Sequence, residues 1–358
     1  MSALLEKMLK TGSTKNSSVL STSPFFNAKE AIPTDLPILN IAFSGSIDGG
    51  LLPGLTVVAG VSKTFKTMLS LYCMKAYLEK YPDGIALLYD SEFGITPEYI
   101  QSFDIDIDRV VHIPIKDVEE LKFDIVSKLE ATGAKDKVFI MIDSIGNLAS
   151  KKELEDAQNE KSVADMSRAK SIKSLFRIVT PYLTTKGIPC LAINHVYQTQ
   201  EMYSKAVVSG GTGIMYSSNT VFIISKAQQK EGTDLTGWKF TINIEKSRYV
   251  REKAKLPFIV NYEEGIRKWD AIFDLGFDMG LITKPKMGWY QLTDPETGEV
   301  EEKNYRLADV MQREDYFEKL VKNDEFKAFV ESKFKLSMDR KSVDYSDDED
   351  EENVDFDQ

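Results

Sequence analysis

The stretch Gly60–Thr67, GVSKTFKT, decides how the rest of the chain is read. It departs by one residue from the phosphate-binding pattern of Gly, any four residues, Gly, Lys, then Ser or Thr: Phe65 stands where the second glycine belongs. Glycine is usual there because it adopts backbone angles that a side chain resists. The flanks supply the context that the motif needs. LTVVAG (55–60) is a short apolar run rich in β-branched residues, which predicts a buried strand. TMLSLYCMKAYLEKYPDG (67–84) has helical patterning, with Pro82 and Gly84 as stop signals. A strand, a loop and a helix start bring backbone amides and the positive end of a helix to one point, where phosphates bind. Gly60, Ser62, Lys63, Thr64, Phe65, Lys66 and Thr67 are therefore the nucleotide-binding candidates, with Lys66 directed at the β/γ-phosphates and Thr67 at Mg²⁺. A strand–turn–helix with a surface lysine would read the same way in isolation.

Working outward, IALLYD (85–90), VVHI (110–113), KVFIMID (137–143) and IPCLAIN (188–194) are further apolar strand runs. Between them lie helical patterns. TPEYI opens with Thr96 as cap and Pro97 at the first helical position. DVEELKFDIVSKLEATG carries an Asp117/Glu120 capping pair and an apolar face of Val118, Leu121, Ile125 and Leu129. IKSLFRIVTPYL has its stripe at Ile172, Phe176, Val179 and Leu183. This alternation predicts an α/β fold, a mostly parallel twisted sheet flanked by helices on both faces. Ligands in such sheets bind beyond the carboxyl ends of the strands. Three strands end in chemically useful groups: Asp143, an acid suited to a Mg²⁺ site; Asp90 with Glu92, a carboxylate able to orient an attacking water; and Asn194 with His195. A strand-end Asp is also an ordinary cap and a lone His is usually structural. What distinguishes these residues is the sheet edge they share.

The 358 residues, 42% hydrophobic and 28% charged, suit a large globular unit with a smaller one. The first residues lack a long apolar stretch and carry Glu6, which argues against a signal or transit peptide. No segment approaches the roughly 18 apolar residues of a membrane span. The two cysteines, Cys73 and Cys190, lie in apolar patterns, so a reducing cytoplasm is expected and a cysteine metal site is not. Of the net charge of −11, the last fifteen residues contribute nine acids and no Lys or Arg, leaving −2 for residues 1–343. Such a block cannot bury a core. It is either a solubility tail or a competitor for a polyanion site elsewhere on the protein. At the other end, a short helical pattern (Leu4, Leu5, Met8, Leu9) and a Ser/Thr-rich linker lead to PFFNAKE (24–30). Its aromatics must bury themselves on their own domain or on a neighbouring subunit.

With these stretches read, the chain resembles the RecA recombinases, most closely the UvsX recombinases of tailed bacteriophages. The resemblance rests on GVSKTFKT, YDSEFGITPEY, FIMIDSIGNLASKKE, NEKSVADMSRAKSIKSLFRIVTPY, AINHVYQTQEM, GGTGIMYSSNTVFII, INIEKSR and GWY, spread over about residues 25–290. The phage branch has the same SKxFK departure at Phe65. The resemblance implies a RecA-like ATPase core (31–265) with an N-terminal oligomerisation arm (1–30), a small C-terminal domain (266–335) and an acidic tail (336–358). It implies that Glu92 activates water, Tyr99 stacks on adenine, and Asp143 serves the Mg²⁺ site, through water, beside Thr67. His195 stands where bacterial RecA has a glutamine that senses the γ-phosphate. Lys246 and Arg248, in EKSR, match the basic pair that reaches the ATP of the adjacent subunit, with Arg in place of a second Lys. Phe25, Phe26 and Ala28 have the spacing of a polymerisation motif.

Two stretches resemble the family's DNA-binding loops: about 149–162, with Lys151 and Lys152, and about 196–213, with Tyr197, Met202, Lys205, Gly210 and Gly211. The second mixes aromatic, apolar and cationic residues, a set that wedges between bases and neutralises phosphates. The implied function is an ATP-dependent DNA recombinase that forms helical filaments on single-stranded DNA and pairs it with homologous duplex DNA. A mediator protein and a single-strand-binding protein are the implied partners, and no membrane is. RecA-type cores also build ring helicases and ATP-regulated assembly proteins; only about thirty residues precede the core, fewer than a helicase's additional domain. For the tail, competition predicts that deleting residues 344–358 tightens DNA binding, most at low salt, because a tethered polyanion mimics the phosphate backbone. Superimposable salt titrations of full-length and truncated protein would leave only the solubility tail.

Overall fold

The fold is seen in a computed structural model, which describes residues 2–13, 17–23, 30–159, 167–198, 206–231, 234–261 and 265–336. Phe25, Phe26 and Ala28 of the arm, Met202 and Lys205 of the second loop, and the acidic tail lie outside the described residues.

In chain order, α1 (Ala3–Lys10) precedes α2 (Pro37–Ser44), β1 (Gly54–Gly60), α3 (Lys66–Lys80), β2 (Ile85–Asp90), α4 (Pro97–Gln101) and β3 (Val110–Pro114). Then come α5 (Val118–Ala131), β4 (Val138–Asp143), α6 (Lys151–Gln158), α7 (Ser167–Lys186), β5 (Pro189–Asn194), β6 (Val196–Gln198), β7 (Ala206–Val208) and α8 (Thr212–Ser217). The long hairpin β8 (Thr220–Glu231) and β9 (Asp234–Ser247) leads to β10 (Lys255–Asn261) and β11 (Gly265–Ile266). The C-terminal part holds α9 (Asp270–Met279), β12 (Ile282–Lys286), β13 (Trp289–Leu292), α10 (Leu307–Met311), α11 (Glu314–Lys322) and α12 (Asp324–Phe334).

Nine strands form one sheet in the order β11-β10-β9-β8-β1-β5-β4-β2-β3. From β8 to β3 the pairs are parallel; β9, β10 and β11 join antiparallel. The apolar runs are continuous because both faces are covered and successive side chains point to opposite sides. Thus Val58, Leu88 and Met141 enter a core shared with α2, α3 and the C-terminal helices, whereas Val57, Leu87 and Ile140 enter a second core beneath α5 and α7. The predicted helix faces match: Val118, Leu121, Ile125 and Leu129 of α5, and Ile172, Phe176, Val179 and Leu183 of α7, are all buried. The Asp117/Glu120 pair differs from expectation. Asp117 accepts from the Glu120 amide, but Glu120 reaches back to the amide of Lys116, one residue before the cap.

Beyond the sheet, Trp269 stacks on Phe317 with ring centroids 5.4 Å apart, fastening α11 to the residue that precedes α9. The end of the described chain is zipped to the turn after β9, since the Arg251 amide donates to Phe334 and the Leu336 amide donates to Tyr249.

Both stretches read as loops carry regular structure. Residues 151–158 form α6, started by a capping box in which Ser150 Oγ accepts from the Glu153 amide and Glu153 accepts from the Ser150 amide. This S-x-x-E signature stands in the sequence as SKKE. In the second stretch, β6 and β7 pair antiparallel, Val196 opposite Val208 and Gln198 opposite Ala206, to make a hairpin stem.

Candidate active site

Strand order positions the site. β1 lies between β5 and β8, parallel to both, so the loop after Gly60 opens where the ends of β5, β4 and β2 also emerge. Ala59 is level with Asn194, and Asp90 with Asp143. A cavity of about 390 Å³ at this edge is lined by Ser62 through Met68 together with Glu92, Tyr99, Asp143, Ile193 and His195. A larger one, about 560 Å³, lies between the β9–β10 turn and the C-terminal helices. It is lined by none of the strand ends that lead to the phosphate loop, Asp143, Glu92 and His195, so the smaller cavity is the chemical one.

Gly60 is required on steric grounds, since a Cβ there would lie 2.7 Å from Thr64 Oγ1 and 2.8 Å from the Ile224 carbonyl. Phe65 answers the question its position raises. It caps α3 in the left-handed region, at φ 59° and ψ 25°, the backbone that the usual glycine would supply. That conformation costs a side-chain-bearing residue about 1–2 kcal/mol. The ring offsets it by packing edge-on to Phe240 at 5.0 Å, and Phe240 in turn stacks on Phe258 at 5.4 Å. Such aromatic pairs contribute about 0.5–1.5 kcal/mol beyond the area they bury.

Lys66 is buried and its Nζ donates to the Val61 carbonyl at 2.9 Å. Burial pushes its pKa down, against the pull of the Asp143 and Glu92 carboxylates. Thr67 Oγ1 donates to Asp143 Oδ2 at 2.7 Å. Burial lifts the Asp143 carboxyl to about 6; Glu92 and Asp90 add to the rise, while the Thr67 bond and Lys66 oppose it. A hydroxyl and a buried carboxylate side by side are hard oxygen donors that fit Mg²⁺, an ion that keeps several waters and takes its remaining ligands from phosphates. Among the described residues no cluster of three or more His, Cys, Asp and Glu could hold a metal by itself.

The Glu92 carboxylate is held by donors from two other segments. Its Oε1 accepts from Ser144 Oγ at 2.6 Å and Asn147 Nδ2 at 2.9 Å, and lies 3.2 Å from His195 Nε2. Its backbone is fixed by buried Asp90, whose Oδ1 accepts from the amides of Glu92 and Phe93, while His112 Nε2 lies 3.1 Å from Oδ2. Tyr99 lies on the cavity wall one turn into α4, which Thr96 caps as expected. His195 begins the second loop. Its carbonyl accepts from the Ser209 amide, and Asn194 Nδ2 donates to the Ser209 carbonyl across the same stem.

Lys246 and Arg248 are not at this cavity. Lys246 is opposite Val221, which pairs with Val57 in β1. That is three residues short of Gly60, about 10 Å along the sheet at about 3.3 Å per residue, and two strands across from β1. There Lys246 Nζ donates to the carbonyls of Met215, Tyr216 and Ser218 at the end of α8. Burial, and then Arg248, push its pKa down. Of the DNA-loop candidates, Lys151 and Lys152 are exposed on α6, Tyr197 is exposed on β6, and Gly210 and Gly211 take φ of 90° and 79°. Sequence reasoning does not find Ser144 and Asn147 as partners of Glu92; the signal available is a run of small polar residues, DSIGN, just past a strand end.

Substituting Phe65 with Gly tests the loop's construction. Relief of the backbone and loss of the ring contact oppose each other, and the half-buried ring with its Phe240 contact outweighs the relief slightly. Phe65→Gly is expected to lower stability by about 0.5–1 kcal/mol in denaturant melts while retaining ATP hydrolysis. A more stable variant would contradict this account.

The comparisons with known proteins fit this geometry. Residues 19–267 match the RecA N-terminal domain, and residues 269–330 match the C-terminal domain of the bacteriophage T4 recombination and repair protein. The chain is 51% identical over 313 residues to the recombination and repair protein of Enterobacteria phage T4, covering 86% of this chain and 80% of that one. It is 26% identical over 277 residues to the RecA protein of Streptomyces ambofaciens, covering 76% and 72%, and 25% identical over 277 residues to that of Cutibacterium acnes, covering 76% of each. A phosphate loop at a sheet edge, faced by Asp143 and Glu92 and followed by a phage-type C-terminal segment, places this chain in the RecA family of recombination proteins.

Proposed function

We propose that this chain is an ATP-dependent DNA recombinase of a phage recombination and repair system, which assembles as a filament on single-stranded DNA and pairs it with homologous duplex. The observation that carries the reading is the meeting of Lys66, Thr67, Asp143, Glu92 and His195 around one cavity, with His195 opening directly into the second loop stem. Residues 31–265 serve as the ATPase core, 266–335 as a small C-terminal domain and 1–30 as the arm that docks on a neighbour. Mediator and single-strand-binding proteins are the further partners, in a host cytoplasm.

The substrate is ATP. The start of α3 and the loop amides take its phosphates. Lys66, released from the Val61 carbonyl, takes negative charge from the terminal phosphates, and Tyr99 takes the base. Thr67 and Asp143 are the residues that would hold Mg²⁺, which would supply neutralisation of phosphate charge. Glu92 accepts the proton of the attacking water; with Oε1 occupied by three partners, Oε2 is the oxygen that does so.

Lys246 and Arg248 act on the nucleotide of the adjacent subunit. A lysine side chain cannot cover about 10 Å along the sheet and two strands across it to its own phosphate loop, and this separation favours action across an interface. Because Lys246 also caps α8, and α8 follows the second loop, a phosphate that draws Lys246 away competes with three carbonyls at the end of that helix. Lys151, Lys152, Tyr197, Met202, Lys205, Gly210 and Gly211 serve DNA, gripping its backbone without reading sequence.

Glu92→Gln preserves size and removes the base. ATP hydrolysis on single-stranded DNA is expected to drop about 10²- to 10⁴-fold, with ATP-dependent DNA binding retained. Near-normal turnover in that variant would overturn the assignment.

A further inference from the structure

Glu92 Oε1 receives a partner from the stem of each candidate DNA-binding stretch. His195 belongs to the second, at the end of β5. Asn147 leads into the first, four residues past the end of β4 and three before Ser150 caps α6 at Lys151, and its Nδ2 lies 2.9 Å from Oε1. The segment carrying Asn147 is fixed from the far side of the same stretch. Arg168, in the first turn of α7, donates to the carbonyls of Ile145, Gly146 and Leu148, which bracket Asn147. Gly146 also lies directly against the imidazole, since a Cβ there would be 2.2 Å from His195 Cδ2. The two stems therefore touch each other as well as the carboxylate.

Resting on the reading of Glu92 as the base, we propose that Asn147 is a positioning residue for that carboxylate and the means by which the first DNA-binding stretch bears on hydrolysis. An amide offers a directional donor without charge. It fixes the turn of the carboxylate about its last bond, so that Oε2 faces the water, and leaves nucleotide contacts alone. Asn147 is itself exposed, and removing its side chain opens no cavity in the core.

The test is ATP hydrolysis at saturating single-stranded DNA. Asn147→Ala is expected to lower kcat about tenfold, as loss of one bond to a charged acceptor does, with KM for ATP within about twofold. Single-stranded DNA affinity, measured with a non-hydrolysable ATP analogue, should stay within about twofold. Asn147→Gln, which keeps the amide on a longer stem, should recover most of the loss, whereas Asn147→Ser, too short to reach Oε1, should not. Ser also carries the test if the Ala variant folds poorly. Unchanged kcat in both the Ala and Ser variants, or a fall in DNA affinity that matches the fall in kcat, overturns the proposal. Glu92→Gln is assayed alongside: if it turns over normally, the base itself is misassigned. If it is inactive while Asn147→Ala is normal, only the role of Asn147 fails.

Discussion

Parallel pairing of β1 with both β5 and β8 is the constraint on which the site depends. Strands laid in parallel deliver their carboxyl ends to one edge, and four of those ends here each carry one part of the chemistry. β1 ends in the phosphate loop, β4 in Asp143, β2 in Asp90 just before Glu92, and β5 in Asn194 just before His195. The reversal from β8 to β9 is the counterpart. It takes Lys246 and Arg248 away from the edge at which the phosphate loop opens. One change of strand direction separates the residues around the cavity from Lys246 and Arg248, the pair proposed to act on a neighbour.

On the proposed function, that separation leaves two routes between nucleotide and DNA. One runs within a subunit, where Glu92 is bound by Asn147 and lies against His195, residues that lead into the two candidate DNA-binding stretches. The other runs between subunits, from Lys246 into the end of α8 and back along that helix to Gly211, Gly210 and the β6–β7 stem. Both are chains of direct hydrogen bonds and short elements. Energetic coupling along either requires an element with two arrangements that a ligand biases.

Much of this is legible in the residues alone. Strands β1, β2, β4 and β5 are apolar runs because both faces are covered, and the buried faces of α5 and α7 follow from their periodicity. Gly60, Lys66, Thr67, Asp143 and Glu92 stand in a strand–loop–helix context that fixes where they emerge. Other features depend on tertiary facts. Phe65 reads as a defect in a glycine position until Phe240, far along the chain, is seen to receive its ring. Asn147 and Ser144 meet Glu92 across more than fifty residues, and no local pattern records which strand ends are neighbours. Residues 151–158 read as loop although SKKE carries a capping signature, because eight mostly polar residues have no apolar face to advertise a helix.

The claim that the site is completed by a neighbour has the most direct test. Lys66→Ala and Lys246→Ala proteins, each deficient in ATP hydrolysis alone, are mixed in equal amounts on single-stranded DNA. If Lys246 acts across a head-to-tail interface, about a quarter of the contacts in a random mixture join an intact phosphate loop to an intact Lys246. Turnover should then rise well above the average of the two separate proteins. A mixture no more active than that average would mean that Lys246 serves its own subunit, and would contradict the account.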